Sequence, residues 1–448
     1  NQTGGKLNLP YSVGMVSLGC PKNLVDSEAM LADVRDSGFT ITNEPQEADV
    51  IIINTCSFIE KAKQESINTI LEMAQYKKAG KCKAIIAAGC LAQQYKDELL
   101  AEIPELDGVI GTSEYHKICD TIERVLDGQK VSFFDDGRLN VNEIEKRVLS
   151  TPPYMAYVKI AEGCDNGCSF CIIPSLRGAY RSRSIESIVE ECQQLVQNGV
   201  KELILIAQDT SVYGKDIYGK PQLAMLLKSL DAIDGVEWIR ILYCYPDYID
   251  DELIESIANS QHVCHYIDMP IQHISDNVLK NMRRKSRSKH IKDLIERLRN
   301  KIPDIAIRTS LMVGFPGETE EDFYKLKEFI RAYELDHVGV FMYSQEEGTI
   351  AATMPEQIPG DIKQKRYNEL MLLQQKIVHK KNKGRIGLTY KVIVEGSANG
   401  LYFGRSYYDA PNIDGMIYFT SDKKLSPGQM VDVGIIKAKG YDVIGVAI

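Results

Sequence analysis

The stretch EGCDNGCSFCIIP, Glu162–Pro174, places Cys164, Cys168 and Cys171 with three and then two residues between them. Three thiolates this close can fold around one metal centre, and soft sulfur ligands favour iron–sulfur clusters or zinc. A four-iron cluster held by three cysteines keeps one iron open. An open iron can bind a substrate or cofactor directly, whereas a closed four-thiolate cluster only carries electrons. Structural zinc comes as paired CxxC units with four ligands, and buried cysteines can also serve as small hydrophobes. No fourth ligand stands beside this triplet, and Phe170 and Ile172 suit a cluster shielded from water. The reading is iron–sulfur.

Outward from the triplet, strand-like and helix-like patterns alternate. Strands are predicted near YMAYVKIAEG, KELILIAQD, VEWIRILYC, VCHYIDMP, DIAIRTSLMVG and LDHVGVFMY, with helices between them. Six such units predict an open or partial βα barrel with its site at the strand C-terminal ends. Upstream, residues 10–127 form an earlier βα series whose continuous apolar strands imply a doubly wound parallel sheet covered on both faces. Residues 128–152 read as a linker, 153–360 as the barrel domain and 361–383 as a basic amphipathic connecting helix. From 384 to 448, five short strands separated by turn residues predict a small β-barrel of the oligonucleotide-binding kind.

The upstream series carries a second thiol pattern. Cys20, Cys56 and Cys90 each end, or lie just past, an apolar strand: MVSLGC, IIINTC and IIAAGC. In a doubly wound sheet, strand C-terminal ends meet along one edge where ligands bind, so the three thiols converge on one crevice, again one short of a closed cluster. The alternative is three core cysteines that happen to end strands. Cys82, Cys119, Cys192, Cys244 and Cys264 read as such bystanders, without partners at matching positions.

Composition narrows the classes. The net charge of −9 argues against general affinity for nucleic acid and leaves room for a basic protein partner. Eleven cysteines without a visible signal peptide point to metal or redox chemistry in a reducing, cytoplasmic setting. No run of 18 apolar residues suggests a membrane span. Asn1–Gly5 read as a cloning remnant.

The Cys-x3-Cys-x2-Cys motif after the first strand of a βα barrel resembles the radical S-adenosylmethionine (SAM) superfamily. The resemblance implies that the open iron chelates the methionine moiety of SAM and that reduction releases a 5′-deoxyadenosyl radical. It also implies polar SAM contacts at Gln208 and Asp209 after the second strand, and at Asp268 and Gln272, with His273, after the fourth. Arg308, Ser310 and Gly314, on and after the fifth strand, complete that set, Gly314 letting backbone approach the adenine. Glu318–Asp322 read as a helix start. Arg177, Arg181 and Arg183 suit a substrate carboxylate or phosphate, or a solvated loop.

Two open clusters in one chain are the plan of the methylthiotransferases, and the resemblance covers nearly the whole length. It implies a flavodoxin-like N-terminal domain with Cys20, Cys56 and Cys90 on an auxiliary [4Fe-4S] cluster. A partial (β/α)6 TIM-type radical SAM barrel follows, with Cys164, Cys168 and Cys171 on the second cluster, and a TRAM barrel comes last. All six cysteines are then catalytic as well as metal-binding. SLGCPKNLVDSE (Ser17–Glu28) and GRSYYDAPNIDG (Gly404–Gly415) resemble the branch that modifies the β-carbon of an aspartate of ribosomal protein S12, a substrate contacted partly by the TRAM domain. The TRAM region carries seven basic and six acidic residues, net +1, where an RNA-gripping barrel is plainly basic. The chemistry implies a low-potential electron donor such as flavodoxin. The alternatives are methylthiolation of transfer RNA adenosine and a non-catalytic iron–sulfur scaffold or electron carrier.

Overall fold

The computed structural model describes residues 11–134 and 146–448; Asn1–Gly5 and part of the segment read as a linker lie outside them. The chain divides into two compact units. The first runs through Ser150 and adds Glu162–Asp165 and Cys171–Arg181; the second holds Thr151–Ala161, Asn166–Phe170 and Ser182–Ile448.

The first unit is a parallel sheet in the order Thr40–Thr42, Ser12–Ser17, Val50–Thr55, Ala84–Gly89, Gly108–Ile110 and Val131–Phe133. Val50–Thr55 and Ala84–Gly89 are buried throughout, because helices cover both faces. Side chains alternate across the sheet: Ile51, Ile53, Ile85 and Ala87 enter one core, while Val50, Ile52, Ala84 and Ile86 enter the other. The order reverses between Ser12–Ser17 and Val50–Thr55, the switch point where doubly wound sheets bind ligands. One expectation needs correcting. Val131–Phe133, inside the predicted linker, pairs with Gly108–Ile110 as a further strand; three residues are too few to show a period. After Ala84–Gly89 come two short helices, Cys90–Tyr95 and Asp97–Glu102, separated at Lys96, whose φ is +48°.

The second unit begins with the half barrel. Met155–Lys159, Glu202–Ile206 and Trp238–Ile241 pair in parallel, as do Tyr266–Asp268, Ala306–Val313 and His337–Met342. A parallel bridge from Ile239 to Val263 joins the two sets. Burial alternates along Ala306–Val313, leaving Arg308, Ser310 and Met312 half-buried on one face; they stand in register with His337, Gly339 and Phe341. The helix Glu320–Tyr333 starts on a reciprocal capping box between Thr319 and Asp322. The connecting helix Gly360–Gly384 leads to a closed five-stranded barrel whose core includes Val392, Val394, Ile417, Phe419, Val433 and Val443.

The segment Arg405–Asp414 of that small barrel docks where the strands of the half barrel begin. Arg405 pairs with Glu202, Arg240 donates to the Tyr407 carbonyl at 2.7 Å, and Tyr266 Oη donates to Asp414 at 2.6 Å. Arg308 lies 3.5 Å from Asp414, and His337 Nε2 meets the Tyr408 carbonyl at 2.8 Å. Much of the motif GRSYYDAPNIDG therefore closes the lower end of the half barrel.

Candidate active site

Cys20 caps the helix Pro21–Asp36, Cys56 follows the strand Val50–Thr55, and Cys90 opens the helix Cys90–Tyr95. Topology brings them to one edge of the sheet, and their charges act on one another: Cys20 and Cys90 both raise the Cys56 thiol. Burial is the larger cause there, pushing Cys56 up to about 11, and burial raises Cys90 as well. Thiols this reluctant to ionise need a cation to become thiolates, which the iron of a bound cluster would supply. Close approach is also built in. Gly19, at φ +84°, lies against Cys56 so tightly that an added Cβ would sit 2.9 Å from its Sγ. Among the described residues no three His, Cys, Asp or Glu side chains close on one point as ligands of a single ion do. A cubane binds each cysteine through a different iron and so takes its thiols further apart. The residues fit the auxiliary cluster.

A buried cation, Arg177, stands at the crevice. Arg177 Nη1 donates to Asp26 at 2.7 Å and to Glu162 at 3.0 Å; Nη2 donates to Asn23 Oδ1 and reaches Cys90 Sγ at 3.5 Å. Burial opposes its charge, yet Cys90, Glu162, Tyr115 and Asp26 raise its pKa above the ordinary arginine value. It does not wait for a substrate anion. Nor do its neighbours: Arg183 Nη1 holds Glu191 at 2.5 Å, and Arg181 donates to the carbonyls of Ala179 and Arg177.

Cys164, Cys168 and Cys171 follow one another on the loop after the strand Met155–Lys159, each half-buried. Gly163, before Cys164, has φ +84°, and an added Cβ would lie 2.1 Å from the Ala179 carbonyl oxygen; only glycine turns the chain there. Glycine immediately before cysteine with positive φ recurs at Gly19 and Gly89, a local signal in addition to the cysteine spacing. Around Cys168, Ser169 donates to the Asn281 carbonyl at 2.8 Å, Asn166 donates to Asp209 at 2.8 Å, and Phe170 packs edge-on to Phe315. Arg284, which no sequence pattern singles out, reaches Cys168 Sγ at 3.7 Å and lies 3.8 Å from the centre of the Tyr245 ring.

The expected SAM contacts separate into two groups. Gln208, Gln272 and Ser310 are half-buried, and Gln272, at φ +70°, bonds through its backbone to the Ser310 carbonyl at 2.9 Å. The others already serve the protein. Asp209 accepts from Asn166, from the backbone and hydroxyl of Ser211, and from the Tyr245 amide. Asp268 and Arg308 pair with each other at 2.7 Å. Beside Gly314, at φ +73°, the side chain of Lys363 lies 2.3 Å from where a Cβ would stand, so a larger residue there would have to displace it. His273 does not face the mouth either: it is fully buried, 3.7 Å from Glu318, and burial pushes its pKa down to about 3.

Comparison with known proteins follows this architecture. Residues 12–111 match the uncharacterized protein family UPF0004, residues 158–330 the radical SAM superfamily, and residues 386–448 the TRAM domain. The fold is shared with the radical SAM methyltransferase TsrM of Kitasatospora setae, at TM-score 0.58 and 14% identity over 90% of this chain and 82% of that one. These features define a radical SAM transferase with an N-terminal thiol-bearing sheet and a TRAM barrel. The ribosomal protein uS12 methylthiotransferase RimO of Lachnoclostridium phytofermentans is 52% identical over 96% of this chain and 99% of its own. That of Clostridium perfringens is 53% identical over 97% and 98%. The chain belongs to the RimO family of radical SAM methylthiotransferases.

Proposed function

We propose that this enzyme attaches a methylthio group to the β-carbon of an aspartate of ribosomal protein S12, with SAM as methyl donor and radical source. The observation that carries the reading is the convergence of Cys20, Cys56 and Cys90 at one sheet edge in a chain that also bears the Cys164, Cys168 and Cys171 loop. When bound, one [4Fe-4S] cluster supplies reductive cleavage of SAM and the other a site that holds sulfur. The chain's own residues hold and shield these groups. Asp209 and Ser169 fix the loop around Cys168, and Phe170 and Phe315 exclude water from it. Gln208, Gln272 and Ser310, half-buried on or after strands of the half barrel, orient SAM. A low-potential donor such as flavodoxin delivers the electron.

A protein substrate is favoured over transfer RNA by the TRAM barrel. Its arginines are spent inside: Arg405 is 1% exposed and Arg385 6%. Tyr408 donates to Asp336, Tyr407 donates to the Asp304 carbonyl, and Tyr402 stacks on Phe419. Base stacking and phosphate binding need such groups free. The test is anaerobic incubation of the reduced enzyme and SAM with S12 and, separately, with transfer RNA, followed by mass spectrometry. A methylthio gain on an S12 aspartate is expected; a gain on RNA alone would overturn the substrate assignment.

A further inference from the structure

We infer that Arg177 is the positioning residue of the auxiliary site: its guanidinium gathers the loops of Cys20, Cys56 and Cys90 and donates to the Cys90 sulfur, raising the reduction potential of the cluster held there. The inference rests on the reading of those three cysteines as ligands.

Its carrier is a hydrogen-bond network within the first unit. Arg177 Nη2 bonds both Asn23 Oδ1 and Cys90 Sγ. Asn23 Nδ2 in turn donates to the Leu18 carbonyl at 3.0 Å and the Thr55 carbonyl at 2.8 Å. Leu18 lies two residues before Cys20, and Thr55 immediately precedes Cys56. One side chain thus reaches all three thiol-bearing loops, directly or through one amide. The other arm of the fork is anchored by Asp26 and Glu162, and Glu162 Oε1 is itself placed by the Gly163 amide at 3.3 Å. The guanidinium is 2% exposed, so it cannot swing out to water, and arginine does not lose its proton.

Chemistry then sets the sign. A charged N–H donor on a ligand sulfur withdraws electron density and stabilises the reduced, more negative cluster; hydrogen bonds to sulfur and local charge are established levers on cluster potential. In a buried crevice the effect is little screened. Arg177 also lies six residues beyond Cys171 and ends the short helix Ile173–Arg177. The segment leaving the radical-cluster loop therefore supplies a cation to the auxiliary site.

The test uses the full-length holoenzyme, with iron and sulfide assayed first to establish two clusters. Midpoint potentials are then measured by EPR-monitored titration for the parent, R177Q, R177K and D26N. R177Q is expected to move the auxiliary potential negative, R177K less far, and D26N positive, since it removes an anion. A purely structural role would not reverse sign between R177Q and D26N. Should R177Q fail to assemble the cluster, R177K and D26N still decide the matter by their opposite shifts. Unchanged potentials, or shifts of one sign throughout, would overturn the inference. A parent protein with about one cluster's iron would instead sink the underlying ligand reading.

Discussion

Arg405 Nη2 lies 2.7 Å from Glu202 Oε2, with the two side chains 1% and 0% exposed. Arg240 Nε takes the other oxygen at 2.8 Å. The pair ties the small C-terminal barrel to the half barrel through one carboxylate between two guanidinium groups. Burial disfavours the Glu202 charge, but Arg405 and Arg240 outweigh it and hold the carboxyl down to about 2.

Glu202→Gln removes the carboxylate shared by two buried cations, leaving Arg405 with Glu395 and Arg240 with backbone carbonyls, and is expected to cost about 3–5 kcal/mol. Because the folded value is depressed from 4.5 to about 2, the contribution is full above the unfolded value and lost as pH falls from there through the folded one. Urea unfolding followed at several pH values should show the parent losing stability on acidification and E202Q lacking that component. A flat difference between the two proteins across pH 2–6 would contradict the assignment.

Replacing Cys164, Cys168 and Cys171 together with Ala should abolish 5′-deoxyadenosine formation and leave about half the iron. The same change at Cys20, Cys56 and Cys90 should also halve the iron, yet spare 5′-deoxyadenosine and stop sulfur transfer. Iron assay and product chromatography read both outcomes. Sulfur transfer by the second variant would refute this division of labour.

Gly19→Ala brings a methyl group against Cys56 at a φ where L residues pay about 1–2 kcal/mol. The expected result is loss of the auxiliary cluster with 5′-deoxyadenosine formation retained. A variant that still binds its full complement of iron would show that the crevice yields more easily than its packing indicates.

Asp209→Asn removes a carboxylate that receives Asn166 and Ser211. The cluster loop should loosen, and 5′-deoxyadenosine formation should slow by up to about 10²-fold, the scale of a 1 Å misplacement. Retained iron content with a slowed rate would separate positioning from ligation. An unchanged rate would remove Asp209 from the site.

Local chemistry made much of this legible in advance. Cysteines at x3 and x2 spacing, apolar strands ending in Cys20, Cys56 and Cys90, and alternating βα signals depend on neighbours in the chain and on strand burial. What escaped were partnerships between distant residues. Asp268 and Arg308, 40 residues apart, pair with each other. Nothing in RGAYRSRS announces the Arg177 partners Asp26 and Cys90, which lie 151 and 87 residues earlier.

The chain alone therefore determined the three-domain plan and singled out the six thiols as candidates, since periodicity and ligand spacing are short-range properties. Tertiary structure decided which charges are spent inside. A buried ion is tolerable only with a partner, and that partner is chosen by folding, not by proximity along the chain.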